Sequence, residues 1–129
     1  MTSSDLPENL NRFIQYCLPT FSAAEILVYL ARHPAEAHSA QTIVGALQHR
    51  GMMVSTSEEY LARFLSLGLV ARQRPGFYMF RPKSRELDEA VKALVVAFNE
   101  RSVTLIRTIY LLTDHPLPSF ADTLRPKPD

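Results

Sequence analysis

The sequence predicts a mainly α-helical fold that carries one small β-hairpin and ends in a long amphipathic helix. Three observations predict it. Apolar residues recur at helical spacing through successive segments of the chain. Two short runs rich in aromatic and branched residues flank Pro75-Gly76, a pair suited to the centre of a type II turn. A last amphipathic stretch runs from Ser84 to about Leu112. The chain of 129 residues has room for one domain with one core. Its apolar fraction of 47% and charged fraction of 21% are those of a folded domain and exclude a disordered one.

Taken in order, Asp5-Leu6-Pro7-Glu8 has the form of a helix start, with Asp5 as N-cap. Leu6, Leu10, Phe13, Ile14 and Cys17 then make a single apolar stripe, which Pro19 ends. Ser22 is placed to cap a second helix whose Ile26, Leu27, Tyr29 and Leu30 leave it apolar nearly all round, the mark of a central helix. His33-Pro34 stops it. Ser39 caps a third helix with Ala40, Ile43, Val44 and Leu47 inward, and Gly51 stands where a C-terminal cap is expected. Thr56-Ser57-Glu58-Glu59 reads as a capping box opening a fourth helix, with Leu61, Phe64 and Leu65 inward and Gly68 closing it.

Leu69 to Arg74 and Phe77 to Arg81 form the hairpin. From Ser84, the residues Leu87, Val91, Leu94, Val95, Phe98, Leu105, Ile106, Ile109 and Leu112 form an apolar stripe, with Glu86, Asp88 and Glu89 in the first turn where the helix dipole favours acids. As one helix it would reach on the order of 40 Å, longer than a compact domain of this size covers by itself. Asn99-Glu100-Arg101-Ser102 interrupts the stripe and marks a kink or a restart. Four segments follow: 1–21, a helix belonging to a dimer region; 22–83, a helix-turn-helix with a hairpin wing; 84–113, a long dimerisation helix; and 114–129, a Pro-rich tail.

The order of elements places the third and fourth helices as a helix-turn-helix and the hairpin as its wing. Two stretches carry a resemblance to MarR-like winged helix-turn-helix proteins. One is Ser39-Ala40-Gln41-Thr42-Ile43-Val44-Gly45-Ala46-Leu47. The other is Tyr60-Leu61-Ala62-Arg63-Phe64-Leu65-Ser66-Leu67-Gly68-Leu69-Val70, which looks like the passage from recognition helix through a Gly-Leu-Val corner into the wing. The resemblance covers roughly residues 22–113 and implies a homodimer that binds double-stranded DNA. Two departures from the family pattern are a short wing without an Asp-x-Arg pair and a recognition helix that opens on two acids.

The net charge of +1 makes no case for a polyanionic partner, but the distribution does. Between Tyr60 and Arg85 stand Arg63, Arg72, Arg74, Arg81, Lys83 and Arg85 without an acid among them. Arg72, Arg74, Arg81 and Lys83 are expected on DNA phosphates; Thr56, Tyr60, Arg63 and Ser66 are expected at the DNA from the recognition helix, with Arg63 and Ser66 outward, Tyr60 on the flank and Arg63 nearest the bases. Glu59, four residues before Arg63, is spaced to pair with it. Leu10, Phe13, Leu87, Val91, Leu94, Phe98, Leu105, Ile109 and Leu112 are expected at the dimer interface. The competing reading is a winged helix that binds a protein rather than DNA. A small-molecule effector, in a pocket lined by Phe13, Tyr16, Phe98 and Tyr110, is a further partner the sequence leaves open.

No other chemistry stands out. His33, His38, His49 and His115 show no structural-zinc spacing, the lone Cys17 excludes an internal disulfide, and no nucleophile elbow, phosphate loop or metalloprotease motif occurs. No metal, no cofactor and no enzymatic activity are expected. The start of the chain lacks a secretory pattern and the apolar stretches are too short for a membrane span, so the expected location is the cytoplasm.

Overall fold

A computed structural model of the chain describes residues 6–47 and 52–113. In chain order the elements are α1 (Glu8–Cys17), α2 (Phe21–Arg32), α3 (Ala40–Leu47), α4 (Val54–Leu67), β1 (Val70–Arg74), β2 (Phe77–Phe80), α5 (Arg85–Glu100) and α6 (Ser102–Thr113). The mainly helical fold with one small antiparallel hairpin agrees with the sequence expectation.

The apolar stripes meet in one core. α2 is central: it packs against α3, α4, α5 and β2, while α1 packs against α5 and α6. Leu10 and Ile14 of α1, Ile26 and Leu30 of α2, Ile43 of α3 and Phe64 of α4 are all fully buried there. Burying a side chain of this size contributes about 1.5–3 kcal/mol, so these helices are held by tertiary packing rather than by propensity.

Helix starts differ from expectation in ways that local chemistry explains. Thr20, not Ser22, caps α2: its Oγ1 accepts from the Ala23 amide at 3.1 Å, which leaves Ser22 inside the first turn. α4 begins at Val54, two residues before Thr56, with Met53 as an N-cap that offers no side-chain acceptor. The box at Thr56–Glu59 therefore lies inside the helix and does not cap it. Leu65 is turned outward, and the buried positions are Ser57, Leu61 and Phe64. Ser39 does cap α3, accepting from the Thr42 amide at 3.1 Å. At the start of α1 the N-cap is Pro7. Asp5 and Gly51 lie outside the described residues.

The hairpin pairs Val70 with Phe80, Ala71 with Met79 and Arg72 with Tyr78, then slips by one residue so that Arg74 meets Phe77. Gly76 at φ 81° supplies the left-handed residue a type II turn needs. Gly68 at φ 80° closes α4, its amide bonded back to the Leu65 carbonyl. A pairing the sequence did not announce joins the hairpin to the segment before α3. His38 and Tyr78 exchange backbone hydrogen bonds of 2.7 and 2.9 Å, so β2 has a partner on each side.

The expected long helix is two. At Arg101 the backbone leaves the helical region (φ −141°, ψ 48°), α5 ends at Glu100, and α6 packs on α1 as well as on α5. α5 alone is about 24 Å long. Leu105 and Ile109, on α6, sit in the same core as Leu10 and Leu94. The second half of the apolar stripe is thus used inside the chain.

Candidate nucleic-acid interface

The hairpin carries the basic patch. Arg72 and Arg74 project from β1 into solvent, and the Arg74 guanidinium lies 3.9 Å from the centroid of the Phe77 ring, which restricts where that cation points. Beyond β2 the chain stays beside the α4–β1 corner, because the Arg81 amide donates to the Leu69 carbonyl and the Lys83 amide to that of Gly68. This brings Arg81 and Lys83 to the base of the hairpin. The Lys83 stem crosses Gly68 so closely that a Cβ there would lie 2.4 Å from its Cδ. Arg72, Arg74, Arg81 and Lys83 are exposed, and none takes part in an ion pair among the described residues.

On α4 the arrangement departs from expectation. Tyr60 Oη and Thr20 Oγ1 share a hydrogen bond of 2.7 Å, across the corner between α1 and α2. Arg63 reaches the same corner, where its guanidinium donates to the carbonyl of Tyr16 at 3.1 Å and its Nε to that of Cys17 at 3.4 Å. These are carbonyls of the last turn of α1, which have no partner within their own helix. Neither Tyr60 nor Arg63 is therefore free to reach outward as the sequence reading had them. Glu59 forms no ion pair with Arg63. Of the remaining α4 residues, Thr56 is half-buried and Ser66 exposed, and the outward surface holds Glu58, Glu59 and Ala62. Basic hairpin and acidic helix thus lie on consecutive elements.

The residues expected between two subunits fill the core of one. Leu10, Leu94 and Leu105 are 0% exposed, Val91 and Ile109 nearly so, and Phe13 is buried. Leu87, Phe98 and Leu112 are half-buried, Phe98 stacking on Phe21 at 5.7 Å. The break at Arg101 is the reason, since it lets α6 cover α1 from within the chain. What faces solvent instead is the other side of α6, where Val103, Tyr110 and Leu111 are each more than half exposed and Ile106 is partly so. The sequence signal for this was present: Ser102–Thr113 carries apolar residues on more than one side, with the exposed Arg107 lying among Val103, Tyr110 and Leu111.

The effector pocket expected from Phe13, Tyr16, Phe98 and Tyr110 is not assembled. Phe13 and Tyr16 line a cleft of about 450 Å³ between α1 and α5, while Tyr110 lines another of about 380 Å³ beside Pro19 and Phe21. Cys17 is buried at the edge of the first cleft. Burial pushes its thiol pKa up, and the nearby Arg63 charge offsets this only in part. No group of three or more metal-ligating side chains occurs among the described residues. No single helix there is long and apolar enough to cross a membrane. Comparison with known protein families, with curated proteins and with solved structures finds no match to this chain.

Proposed function

We propose that the chain is a DNA-binding transcriptional regulator of winged helix-turn-helix type, working from the cytoplasm as a homodimer and holding duplex DNA chiefly by its wing. The observation that carries this reading is the set of four exposed, unpaired cations on and below the hairpin, Arg72, Arg74, Arg81 and Lys83. Such cations neutralise phosphates and release counterions, which gives affinity and orientation without base recognition. The α3–α4 pair, the hairpin after it and the strand-like pairing at His38 agree with this assignment. Sequence reading by α4 is weak on this proposal, because Tyr60 and Arg63 are engaged with α1 and α2 and the exposed residues include the acids Glu58 and Glu59. The exposed apolar side of α6 is the surface through which two copies associate.

The experiment is a titration with random duplex fragments at about 50 and 200 mM salt, beside an Arg72→Ala/Arg74→Ala variant. Removing two phosphate contacts lowers the slope of log affinity against log salt by about 2. A folded protein that shows no binding at the lower salt concentration refutes the proposal.

One observation favours a second reading. Glu58 and Glu59 on the outward side of α4 would repel phosphates in a groove, and they suit a protein partner with a basic surface. On that reading Glu58→Lys/Glu59→Lys abolishes partner capture. On the first reading the same change strengthens DNA binding.

A further inference from the structure

The start of α3, the first half of α4 and the turn of the hairpin border a hollow of about 420 Å³. Its lining includes Gln41, Val54, Glu58, Leu61, Phe77 and Tyr78. Glu58 is exposed on the α4 side. On the hairpin side Arg74 pairs with Phe77, and its guanidinium lies 3.9 Å from the centre of that ring. The two charges are opposite in sign, yet neither takes part in an ion pair among the described residues. Apolar surface lies beside them. Met53 is 64% and Val54 39% exposed at the start of α4, with Val54 one turn before Glu58. Apolar surface inside a charged rim is the make-up of a protein contact. Duplex DNA would meet an acid and two apolar side chains there, and none of these binds phosphate.

Spacing selects a second copy of this chain over any other protein. A partner must bring a cation to Glu58 and an acid to Arg74, separated by the distance that separates those two residues here. A copy rotated by a two-fold axis, lying in the contact plane midway between them, does so by construction. Arg74 of each copy then meets Glu58 of the other, and the two pairs are identical. A face that holds both signs side by side is in this sense complementary to itself.

We propose that two copies pack face to face across this hollow, with Arg74 of each paired to Glu58 of the other and Met53 and Val54 covered between them. This contact is separate from the exposed side of α6. Confined to one hollow and held by exposed ion pairs, it is weak, and it forms toward millimolar rather than micromolar concentration. The contact itself does not depend on DNA binding. Its consequence does rest on the functional reading above: it covers Arg74 and the hairpin turn, so a second copy and duplex DNA compete for one face.

The test is sedimentation equilibrium without DNA, in full chains carrying Val103→Glu to silence α6, at about 0.5 mM protein and about 50 or 500 mM salt. At the lower salt this parent is expected to dimerise, and about tenfold more weakly at the higher salt, where exposed pairs are screened. Adding Glu58→Lys sets cation against cation, and adding Arg74→Glu sets acid against acid. Each variant alone is therefore expected to be monomeric. Mixed in equal amounts, the two regain both ion pairs and dimerise as tightly as the parent. Both positions are exposed, and an unchanged thermal midpoint shows that the variants are folded. A parent that stays monomeric at the lower salt overturns the proposal, as does either variant associating alone as the parent does. So does a folded mixture that stays monomeric, which leaves Glu58 to a different basic protein. Chains that pair in this way but bind no DNA keep the contact and lose the regulator reading.

Discussion

The guanidinium of Arg63 donates to the carbonyl of Tyr16 at 3.1 Å and so ties the middle of α4 to the C-terminal end of α1. A residue that the helical wheel places on the outward side of α4, where it was expected nearest the DNA bases, is instead a cap for another helix. Removing it leaves the Tyr16 and Cys17 carbonyls to water. Because the side chain is largely exposed, Arg63→Ala is expected to cost about 1 kcal/mol in urea unfolding, below the ~1.5–3 kcal/mol of a buried charged hydrogen bond. DNA affinity is expected to change by less than about twofold at low salt, far short of the ~1–3 kcal/mol of a lost bidentate base contact. A large affinity loss with unchanged stability would restore Arg63 to the bases.

Much of the fold was legible because it depends on local rules. The stripes of α1 and α2, the Ser39 cap, the Gly68 stop and the Pro75-Gly76 turn are each set by residues within a turn or two of one another. Side-chain direction on α4 was not legible. Whether Tyr60 and Arg63 face solvent is decided by Thr20 and by the end of α1, forty or more residues earlier. The break at Arg101 was visible as a polar interruption. That it turns α6 onto α1 depends on an apolar face only the assembled chain provides. The His38–Tyr78 pairing gives no periodic signal, since a single residue has no period.

The hairpin turn gives a test of conformation free of packing. At Gly76, φ is 81° and a Cβ would meet nothing within 4 Å, so Gly76→Ala introduces backbone strain alone. The expected cost is about 1–2 kcal/mol, with Gly76→Asn closer to neutral because asparagine tolerates the left-handed region. Thermal unfolding of the pair measures it. Equal stability of alanine and glycine there would mean that the turn is not type II.

Cys17 links the core to pH. Burial holds its thiol protonated beyond the ordinary range, with Arg63 opposing in part. The folded chain therefore keeps a proton that the unfolded chain gives up, and stability is unaffected below the ordinary thiol pKa of about 8.5 and falls as pH rises past it. Urea midpoints between about pH 7 and 10 are expected to drop more in the native chain than in Cys17→Ala. In step with this, iodoacetamide labelling of the folded protein is slow until unfolding begins. Rapid labelling at neutral pH would contradict a buried, protonated thiol.

Leu105 and Val103 stand two residues apart on α6, one in the core and the other on the exposed side proposed for self-association. Leu105 is 0% exposed and packs in the chain's own core, so Leu105→Ala leaves a cavity and is expected to cost about 2–5 kcal/mol. That loss does not vary with protein concentration, as it would if the leucine were buried only between subunits. Val103 is 66% exposed, on the side of α6 assigned above to self-association. Val103→Glu is expected to leave unfolding at micromolar concentration within about 0.5 kcal/mol of a monomeric reference, while shifting sedimentation from dimer to monomer. A concentration-dependent loss at Leu105 would return the dimer interface to the buried stripe. A Val103→Glu chain that still sediments as a dimer would move the contact off α6 altogether.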